Sequence, residues 1–228
     1  MFSISTSTLR KTTTALGLAL ALSSVAACKS EIDEKPKAKV EAADKGDDKK
    51  AEDKAGGEAE ASAEAKTLQI DPASKVAFIG AKVTGDHKGN FETFTGSATV
   101  EGDKLTALEL SVEMSSLKTD ADEAGLGKHL LSGDFFDAEK FPQAKFTLVS
   151  AEAKAGEGGA THEISGNLEM HGKANKVTFP ATVTISDTGV SSKAEFSIDR
   201  NLWDISHPGK PDDLIKAEVA LILELNFK

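Results

Sequence analysis

The 228-residue chain has one cysteine, Cys28, so no internal disulfide can form. Its five histidines, His87, His129, His162, His171 and His207, form no HExxH pair or other closely spaced ligand set. GxSxG, P-loop and GxGxxG motifs are absent too, so neither an enzyme nor a metal site is expected. Basic charge is short: 27 Lys and Arg against 37 Asp and Glu give a net charge of -10. Residues 1–28 carry +2, residues 29–66 carry 9 Lys against 12 acids, and residues 67–228 carry 16 basic groups against 25 acids. An acidic domain repels phosphate backbones, which argues against nucleic acid as a partner. No basic patch marks an anionic-membrane binder.

Aromatic residues are missing from a long stretch. Phe2 is followed by none until Phe78, and Ile32 and Val40 are the only large aliphatics between Cys28 and Lys66. Such a segment cannot bury enough apolar surface to offset the entropy of ordering it. Residues 29–66 are therefore expected to be a disordered, charged tether with an r.m.s. span of roughly 35 Å. One folded domain, 67–228, remains.

What the N-terminus does have is a transport signal. Arg10 and Lys11 precede an apolar run from Ala15 to Ala27 that is too short to span a bilayer. Small residues Val25-Ala26-Ala27 then lead directly to Cys28. This is the pattern of a secretory signal peptide, 1–27, and it resembles the bacterial lipobox, whose cysteine is lipidated and becomes the new N-terminus. Two or three acyl chains, at about 0.8 kcal/mol per buried CH₂, anchor stably where one would not. The expected location is the cell envelope, as a periplasm-facing lipoprotein. Lys29, rather than Asp, after the cysteine favours the outer membrane.

The folded part reads as all-β. Val219, Leu221, Leu223, Leu225 and Phe227 alternate with Ala220, Ile222, Glu224 and Asn226, a period of two that marks a strand with one buried face. Similar runs are Leu108-Leu110-Val112-Met114, Ala144-Phe146-Leu148, Ile164-Leu168-Met170, Val177-Phe179-Ala181-Val183-Ile185 and Ala194-Phe196-Ile198. Two further strands are expected over Lys75–Thr84 and Asn90–Glu101, with glycine-containing turns between neighbours. Some eight antiparallel strands either pair as two sheets or close into a barrel, and closure alone removes both edges. Ser115 to Phe141 breaks the period, with a helical turn predicted around Asp122–Leu131 and Pro142 starting the next strand.

The sequence HLLSGDFFDAEKFPQAKF (His129–Phe146) resembles the YceI-like family. So do SLKT (Ser116–Thr119), ISGNLEMHGKANKVTFPATV (Ile164–Val183), FSIDRNLWDI (Phe196–Ile205) and GKPDDLIKAEVALILEL (Gly209–Leu225). The motifs run in order through nearly all of 67–228. The resemblance implies an extended lipocalin-like eight-stranded antiparallel β-barrel with a short helical excursion near 120–140. Its interior would bind a polyisoprenoid or another long amphiphile, such as a quinone-like lipid, with no other cofactor. Leu126-Gly127 stands where many relatives carry Arg-Asp, so that pair's polar contacts do not carry over.

The residues themselves leave two readings of the interior. Phe78, Leu110, Val112, Phe146, Leu148, Leu168, Phe179, Phe196, Leu221 and Leu223 lie on inward faces without convergent charge. Such faces suit hydrocarbon rather than sugars, nucleotides or metal ions. The same faces would equally make a filled core in a non-catalytic envelope lipoprotein that acts through protein–protein interaction. Phe135, Phe136 and Phe141, with Phe146, either cap the barrel or line an entrance. Arg200, the only arginine of the domain, either bonds backbone carbonyls, Asp199 or Asp204, or contacts a ligand headgroup, as His129 would.

Overall fold

The structure, a computed structural model, describes residues 30–43 and 64–228. The expected signal peptide, Cys28 and residues 44–63 lie outside the described residues. In chain order the strands are β1 (Lys39–Ala42), β2 (Ala65–Gln69), β3 (Lys75–Lys82), β4 (Gly85–Phe91), β5 (Phe94–Glu101), β6 (Lys104–Glu113) and β7 (Leu117–Thr119). Helix α1 (Leu126–Leu131) follows, then β8 (Gln143–Ala153), β9 (His162–Met170), β10 (Lys173–Ser186), β11 (Gly189–Asp199), β12 (Gly209–Lys210) and β13 (Asp213–Phe227).

Three of the expected strands are parts of longer, bent strands: Lys75–Thr84 corresponds to β3 alone, Asn90–Glu101 begins at the end of β4 and runs through β5, and the Leu108–Met114 run lies in β6 and the turn after it. Residues 65–82 form β2 and β3, and the single turn-separated run 85–101 forms β4 and β5. Residues 104–119 form β6 and β7, joined by a 3-10 turn at Met114–Ser116. Because β4 pairs with β3 and β7 while β5 pairs with β2 and β6, this bent strand links both ends of the sheet. The ladder runs from β6 through β8, β9, β10, β11 and β13 back to β3, all antiparallel. The circuit closes as an eight-stranded antiparallel barrel, as expected. Closure joins the two outer edges of the sheet.

The wall has one split. β10 pairs with β11 only from Thr182 to Ser186, and with β9 from Lys173 to Ala181. Pro180, which has no N–H to give a ladder, stands just before the point where β11 parts from β10. β1 occupies the space between them. It pairs antiparallel with β10, Lys39 opposite Thr178 and Ala42 opposite Asn175. On its other side Ala38 N donates to Ser197 O (2.9 Å) and Ser197 N donates to Pro36 O (2.8 Å).

This corrects the expectation of a disordered tether for residues 30–43, which are built into the barrel; residues 44–63 of that tether lie outside the described residues. Ser30 caps a 3-10 turn (Glu31–Glu34) in a reciprocal capping box with Asp33. Ile32, 1% exposed, packs on the outer wall against Ile79, Ala81, Ala220 and Ile222. Ion pairs Lys216–Asp33 (2.9 Å), Lys88–Glu31 (2.7 Å), Lys37–Glu218 (2.8 Å) and Lys35–Glu195 lash the segment down. The composition argument failed because the barrel wall supplies the apolar surface and charge partners that the segment lacks.

The ends of the barrel differ. At the end holding the β5–β6 and β10–β11 turns, Leu68, Val100, Leu105, Val183, Val190 and Phe227 are buried, and all but Leu105 lie beyond the cavity lining, so the interior is packed shut there. At the other end lie the β3–β4 hairpin, the 120–142 excursion with α1, and the 200–212 segment.

Candidate functional site: the barrel cavity

The interior is not filled. A cavity of about 600 Å³ occupies the barrel, inside the roughly 300–1,000 Å³ range of ligand pockets. Every proposed aliphatic or aromatic strand liner borders it: Phe78, Leu110, Val112, Phe146, Leu148, Leu168, Phe179, Phe196, Leu221 and Leu223. Phe135 and Phe136 border it as well, from the excursion. Phe179 and Phe196 stack at 4.0 Å with an interplanar angle of 9°, and Phe146 meets Phe179 at 5.9 Å with the rings tilted by 55°, giving a contiguous aromatic patch on the wall.

Two glycines make room for these rings. Gly89 opposes Phe78, and Gly166 lies beside Phe146; a Cβ at either position would overlap the ring. The rings therefore lie along the wall rather than across the cavity.

Phe141 does not border the cavity, contrary to expectation. The inward period Ala144-Phe146-Leu148 begins inside β8, and Phe141 precedes both that strand and Pro142. Its ring instead packs over the turn at Gly172 and meets His171 at 4.9 Å. Gly172 has φ +73°, so both its backbone conformation and its missing Cβ are required there.

Polar groups gather at the open end. Lys82 Nζ donates to Asp213 at 2.7 Å, and the Thr84 N–H and hydroxyl also donate to that carboxylate. The Lys82 hydrogen bond is the main reason that the Asp213 carboxyl sits below its ordinary pKa. His87 pairs with Asp120 at 3.1 Å. His129 pairs with Asp134 at 3.2 Å and meets the His207 ring at 5.2 Å, while Phe135 meets His207 at 4.8 Å. His129, Asp134 and His207 thus place ligand-type atoms within 4.8 Å of one another, a grouping that the sequence spacing gave no reason to expect. The His129–Asp134 hydrogen bond accounts for two of the three without an ion.

Arg200 is 6% exposed and lines the cavity wall. Its guanidinium donates to the carbonyls of Lys216 (3.0 Å), His207 (2.9 Å), Ile215 (3.4 Å) and Ile205. The backbone-carbonyl reading of this residue is the one observed, and no hydrogen bond links it to Asp199 or Asp204. Burial lowers its pKa, with nearby Asp199 acting in the opposite direction. One arginine thus stitches the 205–207 loop to the start of β13, shaping the rim. His129 also reaches the cavity.

Several liners stood on the alternating runs without being among the ligand candidates. Leu108, Met114, Met170, Val177, Ala194, Ile198, Val219 and Leu225 all border the cavity and sit on the same inward period as the residues chosen. Leu126, Leu130, Ile205 and His207 come from loops and α1, where no period exists to point to them.

A closed β-barrel with one sealed end, an apolar interior and a polar open rim defines a ligand-holding barrel. The YceI-like domain profile matches residues 68–227, and the chain belongs to that family. Among curated relatives, a UPF0312 protein of Pseudomonas putida (strain GB-1) is 35% identical over 118 residues, 50% of this chain and 60% of that protein. One from Shewanella baltica (strain OS155) is 34% identical over 101 residues, 44% of this chain and 49% of that protein. The chain spans about half to three-fifths of the length of these relatives. Among solved structures, BcnA of Burkholderia cenocepacia superposes with a TM-score of 0.59 at 23% identity, covering 69% of this chain and 98% of that one. A polyisoprenoid binding domain from Saccharophagus degradans superposes with a TM-score of 0.54 at 13% identity, covering 71% and 97%. Both likenesses concern the fold.

Proposed function

We propose that this protein is a non-catalytic lipid-binding lipoprotein of the bacterial cell envelope, holding a polyisoprenoid or similar long-chain amphiphile in its barrel. The cavity carries the reading: about 600 Å³, lined by aromatic and aliphatic side chains, sealed at one end and polar at the other. A hydrocarbon tail entering it leaves water at a gain of about 25 cal/mol per Å² of apolar surface buried. A polar head stays at the rim, among His129, His207 and the Lys82–Asp213 pair. The shared fold with a polyisoprenoid binding domain supports the same ligand class. A bilayer offers a tail nearly the same gain as the barrel, so loading and unloading need no energy source.

Native mass spectrometry of protein from its own host tests the binding. About one lipid per chain is expected, and Leu223→Glu, which puts an unpaired carboxylate in the apolar wall, should abolish it. A clean apo mass for wild type overturns the reading and favours a protein-binding role. The anchor is tested separately: Cys28→Ala should release the mature chain from membranes, and sucrose-gradient fractionation should place wild type with the outer membrane.

A further inference from the structure

We propose that the open rim of the barrel docks face-on against the bilayer, so that the cavity mouth opens onto the membrane that carries the anchor. The inference rests on the proposed acylation of Cys28 and deepens it by fixing the orientation of the domain.

The chain itself sets the distance. Ser30 is the second residue after Cys28, and two residues span at most about 7 Å. Ser30 is held firmly. Its hydroxyl donates to both Asp86 carboxylate oxygens at 2.9 and 3.0 Å, and Glu31 N donates to the same carboxylate at 3.1 Å. Ile32 is buried directly afterwards, and the segment then enters the wall as β1. Asp86 belongs to the β3–β4 hairpin, which forms part of the rim. An acyl chain on Cys28 would therefore be tied, through two residues, to a Ser30 held at the rim, too short a link for the barrel to turn its sealed end to the lipid.

The exposed apolar residues agree independently. Among the described residues four large apolar side chains are strongly exposed: Val83, Leu214, Leu202 and Val149. Three of them stand at the open end. Val83 (71% exposed) and Leu214 (51%) are neighbours, with Val83 N donating to Leu214 O at 3.1 Å, and Leu202 sits in the turn after β11. Val83 lies three residues from Asp86, the group that holds Ser30. Apolar tips beside an acyl anchor suit the headgroup–acyl boundary of a bilayer, where they add buried apolar area to the anchor's own. Lys82 and Lys88 nearby are already paired with carboxylates, so the contact needs no anionic lipid. A lipid can then pass between leaflet and cavity without its tail crossing open water.

The test uses the full acylated chain in vesicles of phosphatidylcholine containing doxyl-labelled phosphatidylcholine. Acylation leaves Cys28 without a thiol, so Val83→Cys, Leu214→Cys and Thr188→Cys each offer a single labelling site for an environment-sensitive fluorophore. Thr188 is exposed in the β10–β11 turn at the sealed end. Loss of fluorescence to the lipid-borne quencher at 83 and 214, with none at 188, is expected. An acylated chain whose labels at 83 and 214 escape quenching overturns the docking and leaves the lipid-binding reading intact. An intact mass showing no acyl group on Cys28 overturns the anchor and the docking together. Lipid co-purification is read in a separate experiment.

Discussion

Ile32→Ala isolates what fastens the N-terminal segment to the barrel. Ile32 is 1% exposed and is the central side chain of a small cluster with Ile79, Ala81, Ala220 and Ile222 on the outer wall. The substitution removes three carbons, worth about 2–3 kcal/mol at roughly 0.8 kcal/mol per methylene. The low end of the 2–5 kcal/mol range for such truncations applies, because water can enter a site this near the surface. The strand circuit closes through the β10–β11 pairing at Thr182–Ser186 without this segment, so the loss should appear as local opening rather than global unfolding. At about 1.4 kcal/mol per tenfold, opening becomes roughly 30–100-fold more populated. Native-state hydrogen exchange reads this at two amides, Ala38 N and Ser197 N, which exchange hydrogen bonds across the β1–β11 contact. Both should lose protection by that factor, while Val177 and Leu221 in the barrel wall keep theirs. Unchanged protection at Ala38 would refute the role given to Ile32. Equal losses in the wall would refute the separateness of the segment.

Four further outcomes are expected. Phe227→Ala, at the sealed end, should cost about 3–5 kcal/mol in urea denaturation, whereas Leu221→Ala should cost less than about 2 kcal/mol because its side chain faces open space; equal costs would indicate a filled barrel. Arg200→Lys cannot reproduce a fork that reaches four carbonyls and should cost about 3 kcal/mol or more, at roughly 1.5–3 kcal/mol per charged hydrogen bond. Asp213 has a folded-state pKa below its unfolded value of about 3.9, so its contribution is complete above that value and is lost as pH falls through the folded one. The urea midpoints of wild type and Asp213→Asn should therefore differ at neutral pH and converge in acid; a gap that persists there would rule the Lys82–Asp213 pairing out as its source. Delipidated protein should melt lower than loaded protein, by about 2.7 kcal/mol of stability if free lipid stands at about 100 times its Kd, and identical melting would count against a ligand in the cavity.

The legibility of the fold tracks how local its causes are. β13 could be read because its period of two is imposed by one buried face, and the same holds for Phe146 on β8 and Phe179 on β10. The excursion was legible as a broken period, and it holds a 3-10 turn at Asp122–Ala124 and α1 at Leu126–Leu131. The rim was not legible, since Asp134 and His207 reach His129 only after the chain closes a barrel between them. Residues 30–43 fall between these cases. Ala38 and Val40 alternate with Lys37, Lys39 and Glu41, and Ser30 and Asp33 have capping-box spacing, but so charged a stretch looked unable to pay for its own ordering. The missing half of that sum was on β3 and β13, where Ile79, Ala81, Ala220 and Ile222 point outward and need a cover. Outward apolar side chains on strands already assigned an inward face were the signal that went unread.

That pattern bears on how a barrel with an unfilled interior stays folded. At the roughly 24 cal/mol per Å³ found for truncation cavities, an empty dry space of about 600 Å³ would cost about 14 kcal/mol. That is comparable to the whole stability of a typical domain, about 5–15 kcal/mol. An open end that admits water or lipid avoids that cost. Stability has to come from elsewhere in the molecule. One source is the sealed end, where Leu68, Val100, Leu105 and Phe227 pack as a conventional core. A second is the rim, where Arg200 binds four carbonyls. The third is the outer wall, where residues 30–43 bury apolar side chains that would otherwise face water and fill the split beside Pro180. Each lies outside the space that a ligand would occupy. Such a division lets the interior exchange its contents while the wall keeps its shape.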